Sequence, residues 1–136
     1  MDCIFCKIAA GEIPCYKLAE TDQALGFLDI MPIARGHVLV IPKRHIELFH
    51  DAEPACMGAI MELATELAAA IKKSVVCDGI NMLLNAGRVA GQVVPHAHLH
   101  IIPRWKGDGI RWPWPQGTLE EESARDLVDC ITGNMQ

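Results

Sequence analysis

No uninterrupted apolar run in this chain approaches the ~20 residues that a membrane span requires, and the N-terminal MDCIFCK carries an acid where a secretory signal would be basic. Both absences predict a cytoplasmic protein with no membrane partner. Surplus positive charge is lacking too. Lys and Arg number 12 against 17 Asp and Glu, a net charge of −5, whereas lying along nucleic acid takes a basic stripe that neutralises phosphates. Nucleic acid is therefore not an expected partner; small anions stay open, because a few local donors decide those. With no low-complexity tract, basic tail, internal repeat or linker, the 136 residues are predicted to form a single domain, 1–136, long enough to bury roughly two-thirds of its unfolded surface.

What is present begins with six cysteines. Cys15, Cys56, Cys77 and Cys130 are scattered through apolar segments and read as buried thiols rather than as a disulfide scaffold. Cys3 and Cys6 form a Cys-x-x-Cys pair, a spacing shared by metal sites, redox pairs and unrelated cysteines one helical turn apart. Asp2 is placed to cap a short helix over CIFCKIAA, and Gly11 to end it. Strands are predicted near YKLAE and ALGFLDI, and most clearly at HVLVIPK, which is β-branched and bounded by Gly36 and Pro42. From Pro54 to about Val76, apolar residues including Met57, Ile60, Ala64, Leu67, Ile71 and Val75 recur at three- and four-residue steps, the pattern of one long amphipathic helix. GINMLLN reads as a strand, AGRVAGQ as a loop, and a final helix starts near Thr118 with Glu120 to Glu122 in its first turn. Strands in runs with one long helix predict an α+β fold on a mostly antiparallel sheet.

The segment PHAHLHIIPR places His96, His98 and His100 at alternate positions, separated by apolar Ala97 and Leu99. In a strand, that puts three imidazoles on one face and core residues on the other. Crowding three rings that lose charge near neutral pH needs compensation, either a chelated metal or a bound phosphate attacked by a neutral ring. The glycines of NAGRVAGQ, just upstream, would let backbone N–H groups approach an anion.

GQVVPHAHLHIIPR resembles the His-x-His-x-His-x-x signature of the histidine-triad nucleotide-binding family. DCIFCKIAAGEIPCYKLAETDQALGFLDIMPIARGHVLVIPKRHI is similar to that family's N-terminal half. The resemblance covers about Asp2 to Arg104 and leaves 103–136, with its helix, as a variable C-terminal segment. It implies a five-stranded sheet with one long helix and a short N-terminal helix, assembled as a two-fold dimer with a continuous sheet. It also implies a hydrolase of purine nucleotides, such as phosphoramidates, dinucleoside polyphosphates or related adenylates, that cleaves at the α-phosphorus through a nucleotidyl-histidine. Carried over, His98 is the nucleophile, the backbone carbonyl of His96 orients it, and His100 and His37 contact phosphate. Asn85 and Gln92 match the phosphate and leaving-group side, Asp29 the carboxylate on the ribose hydroxyls, and Ile13, Phe27, Ile30 and Leu39 the apolar base slot. Val93 stands where many relatives carry Ser or Thr, which removes a hydroxyl from the leaving-group contacts. Zinc-containing members of the superfamily implicate Cys3, Cys6, His45 and His96 as a closed, structural Zn2+ site.

In the family the C-terminal segment can reach the partner's active site, so Trp105, Trp112 and Trp114 are candidates for covering a nucleotide or a dimer seam, or for a packed surface lid. Arg104 and Arg111 are positioned in sequence to meet phosphate or merely to solvate the surface. Two rival functions remain: a metallohydrolase in which His96, His98 and His100 together bind zinc and activate water, and a nucleotide-binding sensor with little turnover.

Overall fold

The computed structural model describes residues 2–111 and 113–135. Five strands, β1 (Lys17–Glu20), β2 (Ala24–Leu28), β3 (Val38–Pro42), β4 (Gly79–Leu84) and β5 (Leu99–Arg104), make one antiparallel sheet in the order β1-β2-β3-β5-β4. Three helices accompany it, α1 (Ile4–Ala9), α2 (Pro54–Val75) and α3 (Glu121–Gly133). This is the expected α+β architecture.

Alternation along the strands gives the two sides of the sheet different fates. Ala24, Leu28, Val38, Val40, Leu99 and Ile101 form the main core with the buried stripe of α2, Ile60, Leu63, Ala64, Leu67 and Ile71. Gly26 also faces α2: a Cβ there would lie 2.5 Å from Leu67 Cδ1, so glycine lets the helix close on the sheet. On the other side Leu25, Phe27, Leu39 and Ile41 pack with Cys3 and Phe5 from the N-terminal segment. Helix α3 presents Ala124, Leu127 and Ile131, a stripe at three- and four-residue steps, to α2 and β1.

Helix α2 carries the expected amphipathic stripe, its apolar positions interrupted by charged ones. It is 22 residues long and holds an 18-residue stretch of mean hydropathy 1.3, enough by length and composition to cross a bilayer. The sheet accounts for its apolar stripe, while Glu62, Glu66, Lys72 and Lys73 lie exposed. The cap of α1 is Cys3, whose sulfur accepts from the Cys6 N–H at 3.4 Å, rather than Asp2, which pairs with Lys7 at 2.7 Å. Strand β2 stops at Leu28 because the Asp29 side chain turns the chain by accepting from the Met31 N–H at 2.8 Å. Of the four cysteines read as buried thiols only Cys77 is buried. Cys130 is exposed because α3 buries its neighbour Ile131 instead.

Candidate active site

Phe27, Leu39, His100 and Leu83 are paired across four adjacent strands and therefore share one side of the sheet. Asp29, His37 and His98 each stand two positions along the chain from one of these, which directs them to the same side. Short α1 covers only part of that side, leaving polar groups beside an apolar floor. His96 and His98 precede β5 rather than lie in it, since the strand starts at Leu99. The three triad rings consequently have separate neighbours instead of forming one even row.

His98 is 7% exposed and its Nδ1 lies 2.7 Å from the carbonyl oxygen of His96. A carbonyl only accepts, so Nδ1 carries the proton and Nε2 keeps its lone pair. Burial lowers the pKa of this ring, against the opposing effects of the His96 carbonyl and the Asp29 carboxylate, which favour a positive ring. Phe5 packs edge-on against it at a centroid distance of 5.1 Å. Phe5 went unrecognised in the sequence, although its place between Cys3 and Cys6 was a usable signal.

The His100 ring centroid is 4.9 Å from that of His98, and His100 Nδ1 lies 3.0 Å from His37 Nε2. Asp29 Oδ2 is 3.5 Å from the same His37 nitrogen. Chiefly through burial, and secondarily through neighbouring rings, His37 is pushed down to about 4 and His100 to about 3. Both are neutral at pH 7.

A second cluster lies behind His98. The ligand atoms of Cys3, Cys6, His45 and His96 all fall within 4.8 Å of one another. His96 Nδ1 is 3.4 Å from Cys3 Sγ and 3.6 Å from Cys6 Sγ, and His45 Nδ1 is 3.2 Å from Cys6 Sγ. Sulfur and nitrogen ligands of a tetrahedral zinc stand about 3.6 Å apart, so the donor set fits the metal. His96 Nε2 donates to the Pro42 carbonyl at 2.8 Å, which leaves Nδ1 unprotonated and fixed toward the sulfurs. Burial first, and then the adjacent Cys3, pushes the Cys6 thiol up, a cost that a cation would reverse. The three triad histidines do not converge on one ion: His96 faces the sulfurs, His98 the backbone and His100 His37.

Gly87 and Gly91 adopt φ of 92° and 103°, left-handed values suited to glycine. Gln92 staples the loop between them, accepting from the Gly87 N–H at 2.8 Å and donating to the Glu47 carbonyl at 2.7 Å. Its amide is thus engaged at both ends and shapes the loop. Asn85, buried at the end of β4, reaches the Gly91 carbonyl at 3.5 Å. Phe27 and Leu39 are buried in the floor, Ile30 is 62% exposed beside Asp29, and Ile13 lines a cleft of about 370 Å³ with Ile4, Val93 and Val94.

A HIT domain model matches residues 10–107. The chain belongs to the HIT domain family. It is 40% identical over 137 aligned positions to adenosine 5'-monophosphoramidase of Schizosaccharomyces pombe, covering all of both chains. It is also 40% identical over 136 positions to an adenylylsulfatase of Arabidopsis thaliana, covering 96% of this chain and 68% of that one. A histidine triad nucleotide-binding protein of Sulfolobus tokodaii has a similar structure, with TM-score 0.89, 34% identity and coverage of 98% and 91%. So has a zinc-bound histidine triad family protein of Mycobacterium smegmatis, with TM-score 0.85, 36% identity and coverage of 98% and 95%.

The C-terminal segment folds back on its own chain. Arg104 grips Asp108 with two bonds, of 2.7 and 2.9 Å, and Trp105 Nε1 donates to the Val76 carbonyl at 3.0 Å. Both residues are therefore structural. Arg111 is exposed, and Trp112 lies outside the described residues. Trp114 packs edge-on against His100 of the same chain at 5.9 Å, and the Gly117 N–H donates to the Pro32 carbonyl at 2.8 Å. A strap thus runs in cis from His100 to the turn that follows Asp29.

Proposed function

We propose that this HIT protein hydrolyses adenylate conjugates, of the phosphoramidate or adenylylsulfate type, through a nucleotidyl intermediate on His98. The observation that carries the reading is the His98–His96 hydrogen bond, which leaves His98 Nε2 nucleophilic beside two neutral imidazoles. In the first step the Nε2–P bond forms as the bond from phosphorus to the leaving group breaks; the electron pair leaves with that group, which takes a proton from solvent. The ring becomes cationic, and the His96 carbonyl and the Asp29 carboxylate stabilise it. Water then adds to phosphorus, the electron pair returns to Nε2, and the water proton goes to solvent. His100, backed by His37, faces the phosphoryl oxygens, and Asp29 takes the ribose hydroxyls. Phe5, Phe27, Ile13 and Ile30 supply apolar surface for the base, while Asn85 and the loop stapled by Gln92 border the leaving group.

Cys3, Cys6, His45 and His96 would hold a structural Zn2+, which supplies a cross-link between α1, the segment after β3 and the triad and leaves no position for water. At the edge of the sheet, β4 bonds no second strand among the described residues. A two-fold dimer that continues the sheet through β4 is the proposed assembly.

His98→Asn tests the nucleophile. It should abolish hydrolysis of adenosine 5'-phosphoramidate and the acid-labile nucleotidyl adduct in rapid-quench samples, while AMP binding measured by calorimetry stays within about threefold. Retention of most of the rate would reject the assignment. A wild type that binds AMP yet forms neither adduct nor product would instead favour the sensor reading, to which exposed Val93 lends support.

A further inference from the structure

His37 has no ring nitrogen to spare for a substrate. It is 2% exposed, and the Ile33 N–H points at its Nδ1 from 3.1 Å. A backbone N–H can only donate, so Nδ1 is the acceptor and bears no proton. A neutral imidazole has a single N–H, which must then sit on Nε2. That nitrogen is 3.0 Å from His100 Nδ1, so the bond runs from His37 to His100. His100 Nδ1 accepts, and the one proton of the neutral His100 ring falls on Nε2. Through two rings, the Ile33 backbone settles which nitrogen of His100 is a donor.

We infer that His37 is a positioning residue that works through His100: it holds the His100 ring in orientation and in the Nε2–H form, so that a neutral donor faces the phosphoryl group attacked by His98. The inference rests on the proposed reaction for its kinetic consequence but not for its hydrogen-bond order, which belongs to the free protein. An extra proton on either ring would set N–H against N–H within the chain, and burial opposes that proton independently. The same order disposes of a rival use of this corner. Asp29, His37 and His100 offer ligand atoms within 4.8 Å of one another, but the His37 nitrogen among them carries the proton, and freeing it would break the bond from Ile33. Bonds in such a chain polarise one another, and a correctly aimed donor of this kind is worth about 10²- to 10³-fold in rate when lost outright.

Two measurements test the relay. In wild-type protein labelled with 15N, long-range 1H–15N spectra at pH 7.5 should show His37 and His100 as Nε2–H tautomers; an Nδ1–H form of either ring overturns the inference, and no variant has to fold for this result. The second is a double-mutant cycle on adenosine 5'-phosphoramidate. His37→Asn should lower kcat about tenfold with KM changed less than twofold. In a His100→Gln background, where the amide donates whatever its neighbour does, His37→Asn should cost less than twofold more. Losses that multiply fully in both backgrounds, or a loss confined to KM, would show His37 touching substrate directly and overturn the relay. Loss of the His98 adduct in wild type would sink the proposed reaction and leave the tautomer result standing.

Discussion

Acidification should destabilise this protein well before its carboxylates begin to matter. An unfolded imidazole titrates near 6.5, whereas His37 and His100 in the folded protein do so at about 4 and about 3. Between those values and 6.5 the unfolded chain binds more protons than the native one, so stability is fully present above 6.5 and falls as pH drops through the window. Integrating from pH 7.5 to pH 5 gives about 2 kcal/mol for each fully buried group. His37 is almost wholly buried and takes the full figure, while His100 is only half-buried and titrates against its neighbour, so the pair is worth about 2 to 4 kcal/mol. Against a total stability of about 5–15 kcal/mol that is a large share. Glu20, held down to about 2 by Lys17 and Lys43, keeps its stabilising contribution until the pH falls below its ordinary value near 4.5. Urea unfolding at pH 7.5, 6.5, 5.5 and 5.0 measures the slope for wild type and His100→Gln. The variant should lose close to one proton's worth of slope, about 1.4 kcal/mol per pH unit, and any metal release cancels in the difference. Equal slopes, or stability that rises toward pH 5, would refute the argument.

Native mass spectrometry should find about one zinc per chain in wild type and none in the Cys3→Ser/Cys6→Ser double variant; a metal-free wild type rejects the site. Val93 is 81% exposed, so Val93→Ser should leave melting unchanged and, by restoring one hydroxyl near the leaving group, raise kcat/KM on adenosine 5'-phosphoramidate up to about tenfold, the worth of one hydrogen bond. Gly26→Val pushes a side chain into Leu67 and should lower stability by about 1–3 kcal/mol in urea titrations. Because residue 26 faces α2, kcat of the folded fraction should not change.

The elements with strict periods were legible from the sequence. HVLVIPK alternates between two buried faces and forms β3, and the three- and four-residue steps after Pro54 form α2. Cys3, Cys6, His45 and His96 meet as the resemblance implied, although three separate segments supply them. Alternation fails as a guide at the triad itself. It says which side of a sheet a residue faces, but not whether the sheet extends that far, and here the ladder stops short of His96 and His98. Hydrogen-bond direction is equally hidden in a sequence: nothing in IMPIARGH shows that the Ile33 N–H caps the His37 ring. The resemblance set Gln92 on the phosphate and leaving-group side, and the structure gives both ends of its amide to backbone. The tail has no period between Trp105 and α3, so only the fold shows that Trp114 returns to His100.

The placement of His96 explains how one short segment serves both the Cys-His cluster and the ring proposed to react. The group that orients His98 is a backbone carbonyl, which no side chain can replace and which stays put only if its peptide is held. The His96 ring holds it from both ends, through Nε2 on the Pro42 carbonyl and Nδ1 against the two sulfurs. Phe5, between those cysteines, packs edge-on against His96 at 5.8 Å and His98 at 5.1 Å. In the proposed reaction, an error of a few tenths of an ångström in that peptide would turn the His98 lone pair away from phosphorus, and in-line attack tolerates little such error. In the proposed reaction the Cys-His cluster therefore acts by holding that peptide, even though none of its four side chains takes part in bond making.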